Sequence, residues 1–282
     1  MGVGDVAEST QPPPESDALI AGRYRPEHML GRGGMAAVHK VFDTSKQQHC
    51  ALKRLFLPER PDRRASAVAL FEREFLTLSQ LDHPRVVEVF DYGVDEVGPY
   101  YTMELIGGAD LHKLVPLPWR EACAIARDLC SVLALLHSRR MVYRDLGPRN
   151  VRYAPGVAAK LIDFGAMMPM GASRTLVGTP AFCAPEAVHL QPLDARTDLY
   201  SLGVTLYFML LGRVPYAARD FHQLREQWRS QPRRPIDSVP ELPKALDQLV
   251  MDLIHLDPTL RPANAAEVME RLGAIEGRPS GE

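Results

Sequence analysis

At Gly107-Gly108 the hydrophobic pattern of this chain changes period. Before that point apolar residues come in short runs broken by turn residues, the signature of strands. The stretch MLGRGGMAAVHKVFD holds two strands around the glycine-rich turn Gly31-Arg32-Gly33-Gly34, HCALKRLFL holds a third, and VVEVFDYG and YYTMELI hold two more. One helix interrupts them over 66–81, where Val68, Phe71, Phe75, Leu78 and Leu81 recur at three- and four-residue steps. After the glycine pair the period is helical. The segment Trp119–Ser138 carries Ile125, Leu129, Val132, Leu133 and Leu136 on one face, and further helices are expected over 198–211, 220–230, 243–254 and 264–272. A polar, loop-rich stretch lies between them over 141–186. Strands first and helices after point to an α+β chain folded as two unequal lobes.

The chain has 282 residues, enough to bury roughly three quarters of its unfolded surface without a disulfide or metal staple. Apolar residues at 46% and charged residues at 24% exclude wholesale disorder. A net charge of −2 argues against nucleic acid as the main partner. Cys50, Cys123, Cys130 and Cys183 form no C-x-x-C pair, so they are expected as reduced, buried thiols of a cytoplasmic protein. The N-terminus lacks the basic start and apolar core of a signal peptide. The longest apolar stretch, over 199–211, is too short to span a bilayer, so no membrane segment is expected. Residues 1–22, polar and with three prolines at 12–14, are expected to be a disordered tail, and 273–282 a flexible one. Between them a single domain is expected over 23–272, with a small lobe over 23–104, a hinge at 105–108 and a large lobe over 109–272.

Four segments carry the chemistry. The first is Gly31-x-Gly33-x-x-Ala36-x-Val38, in which glycines let backbone N–H groups close over phosphates. No Gly-Lys-Ser/Thr follows, which excludes a Walker loop, and the strand after it excludes a dinucleotide fingerprint. The second is Lys53, 22 residues after Gly31 and at the end of an apolar strand. An ammonium is costly to bury there unless it is paired, and Glu74 in the expected helix is a partner at hand; a snorkelling surface lysine is the competing reading. The third segment is Tyr143-Arg144-Asp145-Leu146-Gly147-Pro148-Arg149-Asn150, and the fourth is Asp163-Phe164-Gly165, 18 residues after Asp145. Two aspartates and an asparagine suit an oxygen-ligand site for Mg²⁺ shared with phosphate oxygens. One aspartate with the asparagine can hold the metal, while the other orients a hydroxyl nucleophile.

In this order and spacing the set resembles the protein kinases. From about Tyr24 to Leu272 the chain is similar to the eukaryotic-like serine/threonine kinases of bacteria, with Leu81-Asp82-His83-Pro84, Gly178-Thr179-Pro180, Ala184-Pro185-Glu186 and Asp198-Leu199-Tyr200-Ser201-Leu202-Gly203-Val204 adding to the match. The resemblance implies a bilobal kinase fold and transfer of the ATP γ-phosphoryl group to protein Ser/Thr hydroxyls. It assigns Lys53 to the α- and β-phosphates and to a pair with Glu74, Asp163 and Asn150 to Mg²⁺, and Asp145 to the substrate hydroxyl. Gly31, Gly33 and Gly34 would close over ATP, Val38 and Ala51 would cap the adenine, main-chain atoms of Glu104 and Ile106 would bond to it, and Asp110 would take the ribose. Leu78, Val89, Tyr143 and Phe164 resemble the apolar stack that bridges the lobes, and ordinary core packing explains them equally well. His137 reads as a structural histidine. Thr175, three residues before Gly178, is expected as the activation-segment phosphosite facing Arg144, with Ser173 as second candidate. Thr179, Glu186 and Arg261 would build the substrate platform. Implied partners are protein substrates and a second copy for autophosphorylation in trans.

The chain departs from the family pattern at three places. Ala36 replaces the third glycine of the first loop. Gly147 stands where serine/threonine kinases carry a lysine that touches the γ-phosphate, and Arg152 stands where an apolar side chain floors the adenine pocket. Arg149, four residues after Asp145, is the candidate replacement cation by resemblance to receptor tyrosine kinases; a solvent-facing arginine is the other reading. Gly147 and Arg152 also open the alternative of a pseudokinase, a binding or scaffold module on the same fold. A small-molecule kinase of related fold is opposed by Gly178-Thr179 and Ala184-Pro185-Glu186, which resemble a peptide platform.

Overall fold

The computed structural model describes residues 19–173 and 175–277. Five antiparallel strands form the first lobe: β1 (Tyr24–Arg32), β2 (Ala36–Asp43), β3 (Gln48–Leu55), β4 (Val89–Val94) and β5 (Pro99–Met103), in spatial order β1-β2-β3-β5-β4. Helix α1 (Pro61–Ser79) packs on β4 and β5. Register sets Lys53 opposite Val38 on one side and Tyr101 on the other, and Ala51 opposite Met103. Directly paired residues share a face and alternate residues repeat it, so Val38, Ala51, Lys53, Tyr101 and Met103 line one surface of the sheet.

Helix α1 begins five residues before the expected 66. Its first turn, Pro61-Asp62-Arg63-Arg64, has no apolar residue for periodicity to register. Pro61 supplies the fixed φ that suits a first helical position, and Asp62 faces the positive helix end. Only Phe71, Glu74 and Leu78 are buried on this helix, a narrow stripe with a carboxylate at its centre.

The second lobe is helical around α2 (Trp119–Ser138) and α4 (Ala195–Leu211), with α3 (Pro185–Val188), α5 (Phe221–Gln227), α6 (Lys244–Leu253) and α7 (Ala265–Glu276) around them. Every residue of α4 from Thr197 to Leu210 is buried. The Asp194 side chain caps its start and Gly212, at φ 67°, turns the chain left-handed at its end. Gly203 lets α6 approach: a Cβ there would stand 2.5 Å from the Leu253 Cβ. Asp220 and Asn264 cap α5 and α7 in the same way. The stretch over 141–186 is less irregular than expected. It contains β7 (Met141–Val142), β8 (Val151–Ala154), β9 (Val157–Leu161) and β10 (Met168–Pro169), and β8 also pairs with β6 (Ala109–Asp110).

The segments expected as tails, 1–22 and 273–282, fall only partly within the described residues. Residues 1–18 and 278–282 lie outside the described residues. Ile20 bonds through its N–H to the Tyr24 carbonyl and packs with Tyr24, Val41, Cys50, Leu52 and Tyr100, so the fold begins before residue 23. At the other end α7 continues past 272 to Glu276, because Ile275 is buried and Glu276 pairs with Arg127 at 3.0 Å. All four cysteines are free and buried. Among the described residues no helix is long and apolar enough to cross a membrane.

One ion pair ties the α3 region to the far end of the large lobe. Arg261, fully buried, meets both oxygens of Glu186 at 2.7 and 3.0 Å and donates to the carbonyls of Arg196, His255 and Leu256. Removing one partner strands the other charge in the interior. Arg261→Ala is therefore expected to lower the unfolding free energy by about 3–5 kcal/mol, read from urea melts.

Candidate active site

The sheet face shared by Val38, Ala51 and Tyr101 carries a lysine with little access to water. The Lys53 side chain is 12% exposed and its Nζ lies 2.7 Å from Glu74 Oε1 and 3.5 Å from Asp163 Oδ1. Burial works against the ammonium, yet Tyr101 together with the Glu74 and Asp163 carboxylates outweighs it and holds Lys53 above its ordinary range. Burial pushes the Glu74 carboxyl up against the opposing pull of Lys53. Asp163 is 45% exposed, so it offers a carboxylate oxygen to the cleft while touching Lys53. Strand β3, helix α1 and the segment after β9 thus converge on one charged cluster.

The second cluster is hung from Asp198 on α4. This fully buried carboxylate accepts the main-chain N–H groups of Tyr143 and Arg144, both at 2.9 Å, and lies 2.9 Å from His137 Nε2. Arg144 sits at φ 73°, a left-handed conformation that is costly for a side-chain-bearing residue and is held here by those bonds. The loop leaving Arg144 presents Asp145. Asn150 donates its side-chain amide to the Asp145 carbonyl at 2.8 Å and to its Oδ2 at 3.0 Å. Thr179 donates its main-chain N–H to Asp145 Oδ1 at 3.3 Å. Burial raises the Asp145 carboxyl above its ordinary value.

Ile162 donates its N–H to the Asn150 carbonyl at 3.0 Å, which sets Asn150 beside the Asp163 segment. With the Asn150 amide nitrogen committed to Asp145, its side-chain oxygen is the end left for a metal. Among the described residues no three His, Cys, Asp or Glu side chains cluster to hold an ion. Two protein oxygen donors nevertheless fit Mg²⁺, which keeps waters and takes phosphate oxygens rather than an all-protein cage.

Glycine is obligatory at 178, where the chain passes the loop that carries Arg144 and Asp145. Gly178 sits at φ 109°, and a Cβ there would stand 2.9 Å from Cys183 Sγ and 3.1 Å from the Arg144 carbonyl. The Arg144 guanidinium donates to the main-chain oxygen of Thr175, and the Ser173 hydroxyl does so at 3.0 Å. Ser173 is buried and Thr175 exposed. The Ser201 hydroxyl on α4 holds the Phe182 carbonyl at 2.8 Å.

The remaining expected residues lie on β1, at the end of β5, in the segment after it and in the core. Gly31 is on β1 opposite Val38, and Gly33 bonds through its N–H to the Ala36 carbonyl at 2.8 Å, which closes the turn containing Gly34. Glu104 follows β5, and its main-chain N–H is already bonded to the Glu88 carbonyl at 2.9 Å, while its side chain pairs with Lys160. Ile106 is half-buried in the hinge, packed against the core. Leu78, Tyr143 and Phe164 are buried in one core with Val89 against it, and the Tyr143 and Phe164 rings meet edge-on at 5.1 Å.

Arg152 and Asp110 face each other across the β8–β6 pair. The Arg152 guanidinium holds Asp110 Oδ1 at 2.9 Å and the Gly108 carbonyl at 2.5 Å. The charge that looks misplaced in the sequence is therefore neutralised at the hinge. Gly147 faces the Phe182 ring, with 3.7 Å from a would-be Cβ. Arg149 is exposed and forms no ion pair among the described residues. Two residues that sequence reasoning left without a role matter here. Asp198 carries a signal, a carboxylate inside an otherwise apolar helix. Tyr101 carries none beyond its place in a strand.

Comparison with known proteins is consistent along the chain. The family model described as protein kinase domain matches residues 24–272. The serine/threonine-protein kinase PknB of Mycolicibacterium smegmatis is 33% identical over 271 residues, covering 88% of this chain and 42% of that protein. The serine/threonine-protein kinase pkn2 of Myxococcus xanthus is 33% identical, covering 92% of this chain and 33% of its own. The DNA damage-responsive serine/threonine-protein kinase RqkA of Deinococcus radiodurans is 34% identical, covering 88% and 39%. The chain thus spans less than half the length of these curated relatives.

If Asp198 suspends the loop that carries Asp145, Asp198→Ala frees two buried N–H groups at once. Hydrogen exchange of the Tyr143 and Arg144 amides is expected to accelerate at least tenfold, about the loss of one hydrogen bond to a charged group. Unchanged protection of those two amides would contradict that role.

Proposed function

We propose that this chain, which belongs to the protein kinase family and within it to the bacterial eukaryotic-like serine/threonine kinases, transfers the γ-phosphoryl group of ATP to Ser/Thr hydroxyls of proteins. The observation that carries the reading is the assembled pair of clusters: Lys53 closed on Glu74 and Asp163, and Asp145 held by Asn150 and Thr179. A scaffold that only binds has no need of all of them in one cleft.

In this reading Lys53 fixes the α- and β-phosphates, and Glu74 fixes Lys53. Asp163 and Asn150 hold Mg²⁺, which supplies neutralisation of phosphate charge when bound. Asp145 accepts a hydrogen bond from the substrate hydroxyl, orients its oxygen in line with the γ-phosphorus and takes its proton as the new P–O bond forms. The bond to the β-phosphate oxygen breaks and ADP leaves. Little covalent chemistry falls to the protein, so catalysis is positioning and charge. Gly31, Gly33 and Gly34 close over the phosphates, Val38 and Ala51 cap the adenine, and the hinge backbone at Glu104 and Ile106 with Asp110 completes the nucleotide site. Arg149 supplies the cation that Gly147 lacks; its exposed, unpaired guanidinium supports this. The exposed Thr175 beside Arg144 is the regulatory phosphosite, and the segment over 178–186, anchored by Glu186 and Arg261, takes the substrate peptide. The domain works in the cytoplasm on protein substrates and on a second copy of itself; four buried cysteines that form no disulfide support that compartment.

Transfer of labelled γ-phosphate to a generic protein substrate tests this. Lys53→Met and Asp163→Ala are each expected to fall below a tenth of wild-type rate at saturating Mg-ATP with the fold retained. Arg149→Ala is expected to lower kcat by about 10²–10³, the cost of one lost donor to developing charge, with little change in ATP KM. A silent wild type would contradict the reading.

The pH profile gives a separate check. A carboxyl raised by burial stays protonated to a higher pH than a free one, and only its ionised form can take a proton. Activity is therefore lost as pH falls through the raised Asp145 value. The acid limb of kcat/KM is expected to have its midpoint above the ordinary aspartate value of 3.8; a rate unchanged down to that pH would contradict the assignment.

A further inference from the structure

We infer that Tyr101 is a positioning residue of the active site: its hydroxyl locks the Glu74 carboxylate in the place where it can hold Lys53. Tyr101 is fully buried in the middle of β5, directly opposite Lys53 in register. Its Oη donates to Glu74 Oε1 at 3.0 Å, the same oxygen that Lys53 Nζ meets at 2.7 Å. The ring is held between the two lobes of an aromatic wall on α1: Phe71 at 5.0 Å and Phe75 at 5.8 Å between centroids, with Tyr92 of β4 behind them at 6.4 and 5.5 Å. The Lys53 ammonium lies 5.7 Å from the centroid of the same ring, within reach of its negative face. One side chain thus touches both members of the ion pair and the helix that carries one of them.

The need for such a device follows from how little else fastens this part of α1. Its buried stripe is three residues long, and the central one is the carboxylate itself. A buried carboxylate with a single partner is expensive, because each oxygen surrendered to the interior has lost its water. Swinging α1 outward would let Glu74 recover that water at the expense of Lys53. A second donor on Glu74 that comes from the rigid sheet, rather than from the helix, removes this incentive. Tyrosine is suited to the task because its ring fills the aromatic contact while its hydroxyl reaches the pair. Phenylalanine would fill the same space and leave Glu74 with one donor fewer. This inference rests on the phosphoryl-transfer reading only for its kinetic consequence; the geometry it describes is independent of substrate.

A double-mutant cycle between Tyr101→Phe and Glu74→Met tests it, read both as kcat/KM for ATP and as amide exchange across 68–79 of α1. Tyr101→Phe is expected to lower kcat/KM by about tenfold, the worth of one hydrogen bond to a charged group, and to speed exchange of the 68–79 amides by a similar factor. On a Glu74→Met background the same change is expected to do nothing further in either measurement, because the hydroxyl has lost the group it acts through. Tyr101→Phe within a factor of two of wild type in exchange, or an effect on exchange of the same size with and without Glu74, overturns the inference; the first result would make Tyr101 a packing residue only, and the second would mean that its hydroxyl acts through a group other than Glu74. The exchange arm decides the matter even if wild type transfers no phosphate, a result that would count against the phosphoryl-transfer reading alone.

Discussion

Burial of the Lys53 ammonium constrains everything else in the small lobe. It is tolerable only with Glu74 beside it, and Glu74 belongs to a helix with no covalent reason to lie there. Helix α1 must therefore dock on β4 and β5 with its carboxylate inward. The docking surface is aromatic, from Phe71 and Phe75 on the helix to Tyr92 and Tyr101 on the sheet. Replacing the pair with apolar residues would suit stability at least as well. Stability alone therefore gives no reason for an ion pair in this place, and the proposed role of the ammonium on phosphate does.

The large lobe solves the complementary problem of presenting a carboxylate on a loop. Loops are poor places to hold geometry, so Asp145 is tethered at both ends. The buried Asp198 fixes the backbone just before it, in a left-handed turn at Arg144, and Asn150 fixes the side chain from five residues after it. Helix α4 carries Asp198 and, one turn on, the Ser201 hydroxyl that holds the Phe182 carbonyl. One buried helix thus sets the loop that carries Asp145 and the segment that holds Phe182. The Glu186–Arg261 pair secures the far end of that segment, so it is anchored at both ends while Thr175 remains at the surface.

How far the sequence carried depended on whether a residue's partner was a side chain with a recognisable spacing. Asp145, Asn150 and Asp163 sit close together in the chain, and their chemistry is readable from types alone. The Lys53–Glu74 pair was readable because an ammonium at the end of an apolar strand demands an acid, and the nearest helix offered one. Helix cores were located by periodicity, while their starts were missed where the first turn is polar, as at Pro61, or lies before the apolar run, as at Ala195. The last helix ran on past its expected end because Ile275 packs against distant residues. Asp198 acts on backbone N–H groups 54 and 55 residues away, and backbone has no sequence signature. Arg152 looked out of place because its partner Asp110 lies across a strand pair 42 residues distant. Tyr101 showed nothing at all, since a tyrosine in a strand needs no explanation until its hydroxyl is found on Glu74.

The central claim is that these two clusters together move phosphate from ATP to hydroxyl groups. Phosphosite mapping by mass spectrometry on the purified chain, incubated with Mg-ATP beside an Asp145→Asn variant, tests it most directly. Phosphate is expected on serine and threonine, with Thr175 among the sites, in the wild type and not in the variant. A wild type that acquires none, or a variant that acquires as much, would contradict it.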